Sequence, residues 1–236
     1  MTGAASYNDG VRVKICGITR PADARAASDA GADAIGFVFV PGTPRYVTVE
    51  QAREAAGAAS PFVARIGVFR GQAAATVAQV ARELRLTAVQ LHGEMGRDDI
   101  AALAGEFPVI RALSWSPELE AADLTAGPWH SVLLDGIRPG SGQAFDWDAA
   151  ARLRALPGLI LAGGLNVQNV RQGIAALQPA AVDVSSGVEA APGLKDAGLM
   201  EQFIRAARNT SINEVSGGFP GPGVAASPGG SDPAER

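Results

Sequence analysis

Cysteine, histidine and aromatic residues are scarce in this sequence. Its 236 residues contain one cysteine, two histidines and 6% aromatic residues. A single cysteine excludes an internal disulfide framework, and one cysteine with two distant histidines does not give the spacing of a zinc site. Any chemistry that this chain performs must therefore rest on other side chains or on a lone thiol.

Long apolar runs and blocks of like charge are also missing. No apolar run approaches the ~20 residues that span a bilayer, and residues 1–10 lack the apolar segment of a signal peptide. The net charge of −4 comes from acids and bases that are interspersed along the chain. These absences argue against membrane and nucleic-acid functions and predict a cytoplasmic protein.

Nucleotide-binding signatures are absent as well. No Gly-x-x-x-x-Gly-Lys-Ser/Thr segment occurs, and residues 140–145 lack the third glycine of a dinucleotide-binding fingerprint. We therefore predict neither a cofactor nor a metal.

The chain does contain a regular alternation of short strand-like runs and helical patterns. With 47% hydrophobic residues it can bury one large core, and the spacing of roughly 20 to 30 residues is typical of βα units. Eight such units predict an α/β protein, a single-domain (β/α)8 TIM barrel. The predicted strands are residues 11–18, 34–40, 63–69, 87–92, 108–113, 131–135, 158–162 and 181–185.

The predicted domain organisation is an N-terminal extension at 1–10, a catalytic barrel at 11–209 and a tail at 210–236. Of the 27 tail residues, 14 are Gly, Pro or Ser, and few are large and apolar. Such a composition cannot offset the entropy of ordering the chain, so we expect the tail to be disordered.

Three helix starts are predicted from local signals. Thr48 and Gln51 fit a capping box, Ser116 followed by Pro117 suggests an N-cap, and Asn166 can cap the helical pattern that follows it.

Polar residues recur at the ends of the predicted strands, where a purely structural barrel would place Val, Ile and Leu. Because side chains alternate along a strand, these residues share the inward face and indicate a site at one mouth of the barrel. Among them, Lys14 and Asp183 lie on strands that become neighbours after closure, and we predict that they form an ion pair. The polar strand-end residues are Lys14, Cys16, Gln90, His92, Asp135, Asp183 and Ser185.

Two glycine-rich turns follow the seventh and eighth strands, in the loops that often bind phosphate in this fold. The first contains Gly163 and Gly164, and the second contains Ser185, Ser186 and Gly187. Gly164 and Gly187 are the positions where we expect the backbone to approach an anion closely. The two turns together predict a small phosphorylated substrate.

From Val11 to Arg208 the sequence resembles the phosphoribosylanthranilate isomerase family of tryptophan biosynthesis. The segments that carry the resemblance are Lys14-Ile15-Cys16-Gly17-Ile18-Thr19, Gly36-Phe37-Val38-Phe39, Arg45-Tyr46, Val89-Gln90-Leu91-His92-Gly93, Leu133-Leu134-Asp135, Gly163-Gly164-Leu165-Asn166 and Val182-Asp183-Val184-Ser185-Ser186-Gly187-Val188-Glu189. Together they are highly specific, although several would fit other phosphate-binding barrels.

The resemblance implies an Amadori rearrangement of N-(5-phosphoribosyl)anthranilate, with Asp135 as general acid and Cys16 as general base. For these roles the pKa of Asp135 must be raised and the pKa of Cys16 lowered. The resemblance also implies that Arg45 holds the anthranilate carboxylate, and that Gly142 approaches phosphate or closes over substrate. Gln90, His92 and Asp183 complete the predicted binding site, although His92 fits a structural histidine equally well.

Two alternatives remain beside this interpretation. The histidine-pathway isomerase performs the same chemistry, but its family has an aspartate where Cys16 stands here. A catalytically silent barrel that binds phosphosugars would not need both Cys16 and Asp135. We expect either a monomer or a homodimer.

Overall fold

The protein is described by a computed structural model that covers residues 10–136 and 144–209. Eight parallel strands form a closed barrel in sequential order, with the first strand paired to the eighth. This confirms the predicted (β/α)8 architecture. The strands are β1 (Arg12–Cys16), β2 (Ala34–Val38), β3 (Ala64–Arg70), β4 (Ala88–His92), β5 (Val109–Ser114), β6 (Ser131–Asp135), β7 (Leu159–Leu161) and β8 (Ala181–Val184).

The helices follow the strands, with two departures from the regular pattern. Between β5 and β6 lies a helix of only five residues, and between β6 and β7 the described part, 144–158, contains a 3-10 turn at Ala151–Leu153 in place of an α-helix. A two-stranded hairpin, β9 (Glu189–Ala191) and β10 (Leu194–Lys195), follows β8. The helices are α1 (Pro21–Asp29), α2 (Val49–Ala58), α3 (Ala74–Leu84), α4 (Arg97–Ala104), α5 (Ala121–Thr125), α6 (Val170–Leu177) and α7 (Ala197–Arg208).

Of the three predicted helix starts, the one at Thr48 is confirmed and the one at Asn166 is confirmed in part. The capping box of α2 is confirmed, because Gln51 N donates to Thr48 Oγ1 and Thr48 N donates to Gln51 Oε1. Asn166 acts one turn ahead of α6: its side chain accepts from the backbone N–H groups of residues 168 and 169, and Asn169 is the N-cap. The Asn166 side chain thus stabilises the turn that leads into the helix.

The prediction that Ser116 and Pro117 start a helix is wrong. Leu119 N donates to Ser116 O, so the segment forms an isolated turn, and α5 begins only after Glu120. The Asp123 side chain accepts from Glu120 N at 2.8 Å and stabilises the actual start. A local Ser-Pro signal is shared by turns and helix N-termini, and here the turn forms.

The hydrophobic core has two layers. Apolar helix faces pack against the outside of the barrel, where residues such as Phe37, Phe69 and Phe203 are almost fully buried. A smaller cluster fills the barrel interior with short side chains and branched aliphatic ones. That interior cluster contains Ile66, Ala88, Ile110, Ala112, Leu133, Ile160 and Ala162. The interior of the barrel is therefore a packed core and not a channel.

The predicted tail at 210–236 and residues 1–9 of the predicted extension lie outside the described residues, and the domain boundaries stay a prediction. Within 10–136 and 144–209, no helix has the length and apolar character needed to cross a bilayer.

Candidate active site

Cys16 is the last residue of β1 and lies in the wall of a cavity at the carboxyl ends of the strands. Its side chain has room because β2 places Gly36 opposite: a Cβ at that glycine would come within 2.9 Å of Sγ. Burial raises the pKa of the thiol, although the nearby Lys14 ammonium opposes this rise. The lowered pKa that a general base would require is therefore not found in the free protein, where the group is a neutral thiol at neutral pH.

Asp135 ends β6 on the other side of the same cavity. Burial raises its pKa to about 6, even though Oδ1 accepts a hydrogen bond from Gly136 N at 2.8 Å. The negative charge of Asp183 adds to the rise. The upward shift of Asp135 has the direction that a general acid requires.

Lys14 and Asp183 form the predicted ion pair, which confirms that expectation. They are register partners on β1 and β8, and Nζ lies 3.0 Å from Oδ1. Both side chains are buried. Burial alone would lower the pKa of Lys14, but the charge of the Asp183 carboxylate and its hydrogen bond to Nζ raise it, so the lysine stays charged. The pair thus places a cation beside the thiol.

The loops after β7 and β8 contribute Gly163, Gly164, Ser185 and Ser186 to the cavity. Gly163 and Gly164 have φ angles of +79° and +66°, which disfavour any residue with a Cβ. Gly187 does not line the cavity. A Cβ there would lie 2.0 Å from Leu165 O, so this glycine allows the two loops to pack closely, and its contact with an anion stays a prediction.

Gln90 and His92 line the cavity from β4. The Gln90 amide nitrogen lies 2.7 Å from His92 Nε2, and burial, with the charges of Lys14, Arg70 and Arg111, lowers the pKa of His92 to about 4. His92 is therefore neutral and accepts from the amide. Gln90 Oε1 is buried and has no hydrogen-bond partner among the described residues, so it is available as an acceptor.

Arg45 enters the cavity from the loop after β2. Its aliphatic part packs over Gly17, where a Cβ would come within 2.5 Å of Arg45 Cδ. The guanidinium donates through Nε and Nη2 to the two carboxylate oxygens of Glu189, each at 2.8 Å. Arg45, which is predicted to hold the substrate carboxylate, thus already binds a carboxylate of its own chain.

The cavity brings together most of the predicted site residues. It has a volume of about 930 Å³, including the part open to solvent. Gly142 lies outside the described residues. The predicted residues that line the cavity are Cys16, Arg45, Gln90, His92, Asp135, Gly163, Gly164, Asp183, Ser185 and Ser186.

Comparison with known proteins identifies the family. The model of the family described as N-(5'-phosphoribosyl)anthranilate (PRA) isomerase matches residues 13–206. The chain belongs to this family. It is 48% identical over 206 residues to N-(5'-phosphoribosyl)anthranilate isomerase of Deinococcus radiodurans, an alignment that covers 85% of this chain and 98% of that protein.

Solved structures of phosphoribosylanthranilate isomerases have the same fold. The one from Thermotoga maritima is 43% identical, with a TM-score of 0.77, and the match covers 84% of this chain and 98% of that chain. A second, 41% identical with a TM-score of 0.72 and the same coverage, is in complex with reduced 1-(o-carboxyphenylamino)-1-deoxyribulose 5-phosphate. The chain is accordingly an isomerase of tryptophan biosynthesis, and the histidine-pathway alternative is set aside.

Three charged residues at the mouth of this isomerase were missed by the sequence analysis. Arg70 lines the cavity from the end of β3, and Glu189 and Lys195 form an ion pair in the hairpin after β8. Glu189 stands at the end of one of the segments that carry the family resemblance, which is a signal that could have been used. Arg70 and Lys195 stand in no motif, so nothing in the sequence marked them.

Replacement of Gly163 by alanine is expected to destabilise the isomerase and to misplace Asp135. The new Cβ would lie 2.2 Å from Gly136 N and 3.0 Å from Asp135 Oδ1. Left-handed strain and the clash together should cost about 2–4 kcal/mol of the free energy of unfolding. We expect kcat to fall by about 10- to 100-fold as Asp135 is displaced. Urea unfolding and turnover measurements test both effects.

Gly42→Ala is the matched control for this variant. Gly42 has a φ of +78°, but no atom lies within 4 Å of its would-be Cβ. Gly42→Ala should therefore show only the strain of the left-handed backbone, about 1–2 kcal/mol of the free energy of unfolding. Equal destabilisation of the two variants would contradict the clash that the structure predicts at Gly163.

Proposed function

We propose that this chain converts N-(5-phosphoribosyl)anthranilate into 1-(2-carboxyphenylamino)-1-deoxyribulose 5-phosphate, with Asp135 as general acid and Cys16 as general base. The observation that carries the proposal is that β1 and β6, which are not neighbours in the barrel, end in these two groups at the walls of one cavity. The complex of a related isomerase with the reduced product supports this substrate class.

The proposed reaction begins at the ring oxygen of the ribose. Asp135 gives its proton to that oxygen, the bond from the oxygen to the anomeric carbon breaks, and the lone pair of the anthranilate nitrogen forms an iminium. Cys16 as thiolate then removes the proton from the neighbouring carbon, and the electrons of that C–H bond neutralise the iminium to give an enolamine. A proton is then delivered to the former anomeric carbon while the enol hydroxyl on the neighbouring carbon loses its proton, which yields the ketose.

The reactive protonation state is a minor one. In the free protein, the pKa of about 6 leaves Asp135 mostly ionised at neutral pH, and the raised pKa keeps Cys16 as a thiol. The reactive form has the proton on Asp135 and the charge on Cys16. Both forms carry the same net charge, so moving one proton interconverts them. Lys14, beside the sulfur, stabilises the thiolate in the reactive form.

The two charged ends of the substrate are assigned to different groups at the mouth. We assign the phosphate to the loops with Gly163, Gly164, Ser185 and Ser186, with Gly142 as a further predicted contact. Arg45 is assigned to the anthranilate carboxylate because a planar guanidinium suits a carboxylate. Gln90 Oε1, buried without a partner among the described residues, is available to accept from a sugar hydroxyl. His92 holds the Gln90 amide and thereby orients it.

A turnover assay with N-(5-phosphoribosyl)anthranilate tests the proposal. We expect ketose formation by the native chain, and its absence would favour the catalytically silent barrel.

In Arg45→Ala, KM should rise by about 10- to 100-fold because a charge-assisted contact with the carboxylate is lost. A KM equal to that of the native chain would contradict the assigned role of Arg45.

The proposal includes a cytoplasmic location and a small-molecule substrate, with no nucleic-acid partner. The lone cysteine is a free thiol, which the proposed chemistry requires to remain reduced. The T. maritima relative is described as dimeric, and this supports the homodimer over the monomer for this chain. Light scattering of the purified protein distinguishes the two states.

A further inference from the structure

The contact between Arg45 and Glu189 joins two loops that are far apart in sequence. Glu189 is the first residue of β9, and its side chain is only 5% exposed. It accepts from Nε and Nη2, the side edge of the guanidinium. Within residues 10–136 and 144–209, no hydrogen bond from Nη1 is found. The end edge of the guanidinium, Nη1 with the second N–H of Nη2, therefore remains for a ligand.

Glu189 is in turn held by Lys195. Nζ lies 2.8 Å from Glu189 Oε1, and the Lys195 side chain is fully buried. The same ammonium donates to Ser185 O at 3.1 Å and to Ser185 Oγ at 3.3 Å. Ser185 Oγ donates to Cys16 O at 3.1 Å. One buried lysine thus connects the Arg45 clamp to the phosphate loop and, through Ser185, to the end of β1.

The hairpin that carries Glu189 and Lys195 is fixed against the rest of the mouth. Thr19 Oγ1 donates to Gly193 O at 2.6 Å, and a Cβ at Gly193 would lie 2.4 Å from Pro44 O. Pro44 directly precedes Arg45 in sequence. The backbone that presents Arg45 and the hairpin that presents Glu189 are therefore in close contact.

The charges of this cluster favour an incoming anion. Arg45 and Lys195 supply two cations and Glu189 one anion, so the cluster has a net positive charge. Although burial acts against ionisation of Glu189, its hydrogen bonds to Arg45 and Lys195 lower its pKa and keep it ionised. Without Lys195, the Arg45 and Glu189 pair would have no net charge.

We propose that Glu189, held by Lys195, is a positioning residue that fixes the Arg45 guanidinium so that its end edge recognises the substrate carboxylate. The inference rests on the proposed function and deepens it. A long arginine side chain loses considerable rotamer freedom when it binds a ligand. Glu189 restricts that freedom before the ligand arrives, so the carboxylate binds a guanidinium that is already oriented.

The test compares two ligands that differ only in the carboxylate. One is reduced 1-(o-carboxyphenylamino)-1-deoxyribulose 5-phosphate, and the other is the reduced phenylamino compound without the carboxylate. Calorimetry gives Kd for each ligand. The Kd of the ligand without the carboxylate divided by the Kd of the carboxylated ligand measures carboxylate recognition. Glu189→Gln makes the cluster more positive, which by itself would strengthen binding of the carboxylated ligand. We nevertheless expect the ratio to fall by about tenfold, because the guanidinium is no longer oriented before that ligand binds.

Glu106→Gln is the matched control. It makes the same chemical change in an exposed ion pair with Arg82 on the outside of the barrel. The ratio should equal that of the native chain.

The possible outcomes distinguish a failure of this inference from a failure of the proposed function. Equal loss of affinity for both ligands in Glu189→Gln would mean that Glu189 only supports the fold, and an unchanged ratio would mean that Arg45 needs no partner; either result overturns the inference. A native chain that bound both ligands equally well would also overturn it, while leaving turnover in place. A native chain that bound neither and showed no turnover would overturn the proposed function as well.

Arg45→Lys provides a second test if Glu189→Gln does not fold. Lysine keeps the positive charge but cannot hold Glu189 with one edge and a ligand with the other. We expect the ratio to fall by about tenfold here too. A ratio equal to that of the native chain would overturn the inference, because a guanidinium positioned by Glu189 would then be unnecessary.

Discussion

Replacement of Cys16 by serine is expected to lower kcat by about 10²- to 10⁴-fold, the range for loss of a well-placed general base. Serine has nearly the size of cysteine, so it fits the space beside Gly36. Its hydroxyl is far less acidic than a thiol, so it cannot form the anion that removes the carbon-bound proton. The measurement is ketose formation with N-(5-phosphoribosyl)anthranilate at saturating concentration.

Binding provides the control for this variant. Cys16 contributes a proton acceptor rather than a substrate contact in the proposed reaction, so Kd for the reduced product should change by less than about threefold. Cys16→Ala should be as inactive as Cys16→Ser. Substantial turnover by either variant would refute the assigned base, whereas a parallel loss of binding would point to a structural role for the thiol.

Asp135→Asn is expected to be equally severe, with a loss of about 10²- to 10⁴-fold in kcat, because an amide cannot donate the proton that opens the ring. Asparagine keeps the shape and can still accept from Gly136 N through its carbonyl oxygen. The loop geometry should therefore persist. Asp29→Asn, an exposed aspartate on α1, is the matched control and should retain native activity.

The pH dependence of the native enzyme tests how the two groups share the proton. Below about pH 6, Asp135 is already protonated, while the thiolate fraction falls with each further drop in pH, so kcat/KM should fall. Between pH 6 and the raised thiol pKa, each gain in thiolate is offset by an equal loss of protonated Asp135, so kcat/KM should stay level. Above the thiol pKa, only the loss of acid continues, and kcat/KM should fall again.

Direct titration of the thiol checks this assignment. The ultraviolet absorbance of the thiolate, with Cys16→Ser as the blank, should give a pKa above the ordinary value for cysteine, because the buried environment disfavours the anion. A thiol that ionises well below its ordinary pKa would show that Cys16 is a thiolate in the resting protein. The minor protonation state proposed for catalysis would then be wrong.

The barrel could be predicted because its signals are local and repeated. Eight strand-like runs at regular intervals leave few arrangements that bury every apolar face, and parallel strands bring all their carboxyl ends to one mouth. Cys16, Gln90, Asp135 and Asp183 each stand at or near the end of such a run. Their common location therefore follows from strand alternation.

Local signals failed where one pattern serves two structures. The Ser116-Pro117 pair forms a turn and does not begin α5. At Gly187 the fold adds a reason for glycine that the sequence did not show, because a Cβ there would lie 2.0 Å from Leu165 O in the neighbouring loop. A glycine in the sequence indicates only that a side chain does not fit at that position. The neighbouring atom that excludes the side chain is known only from the fold.

The sequence by itself determined the closed barrel, the mouth that carries the site and the chemical groups gathered there, because these follow from periodicities along the chain. Only the tertiary structure decided the electrostatics of the site. Burial keeps Cys16 a thiol and brings the pKa of Asp135 to about 6, and Arg45 meets Glu189 across 144 positions of sequence. Desolvation and ion pairing depend on which loops meet in space, and the spacing of residues along the chain does not specify that.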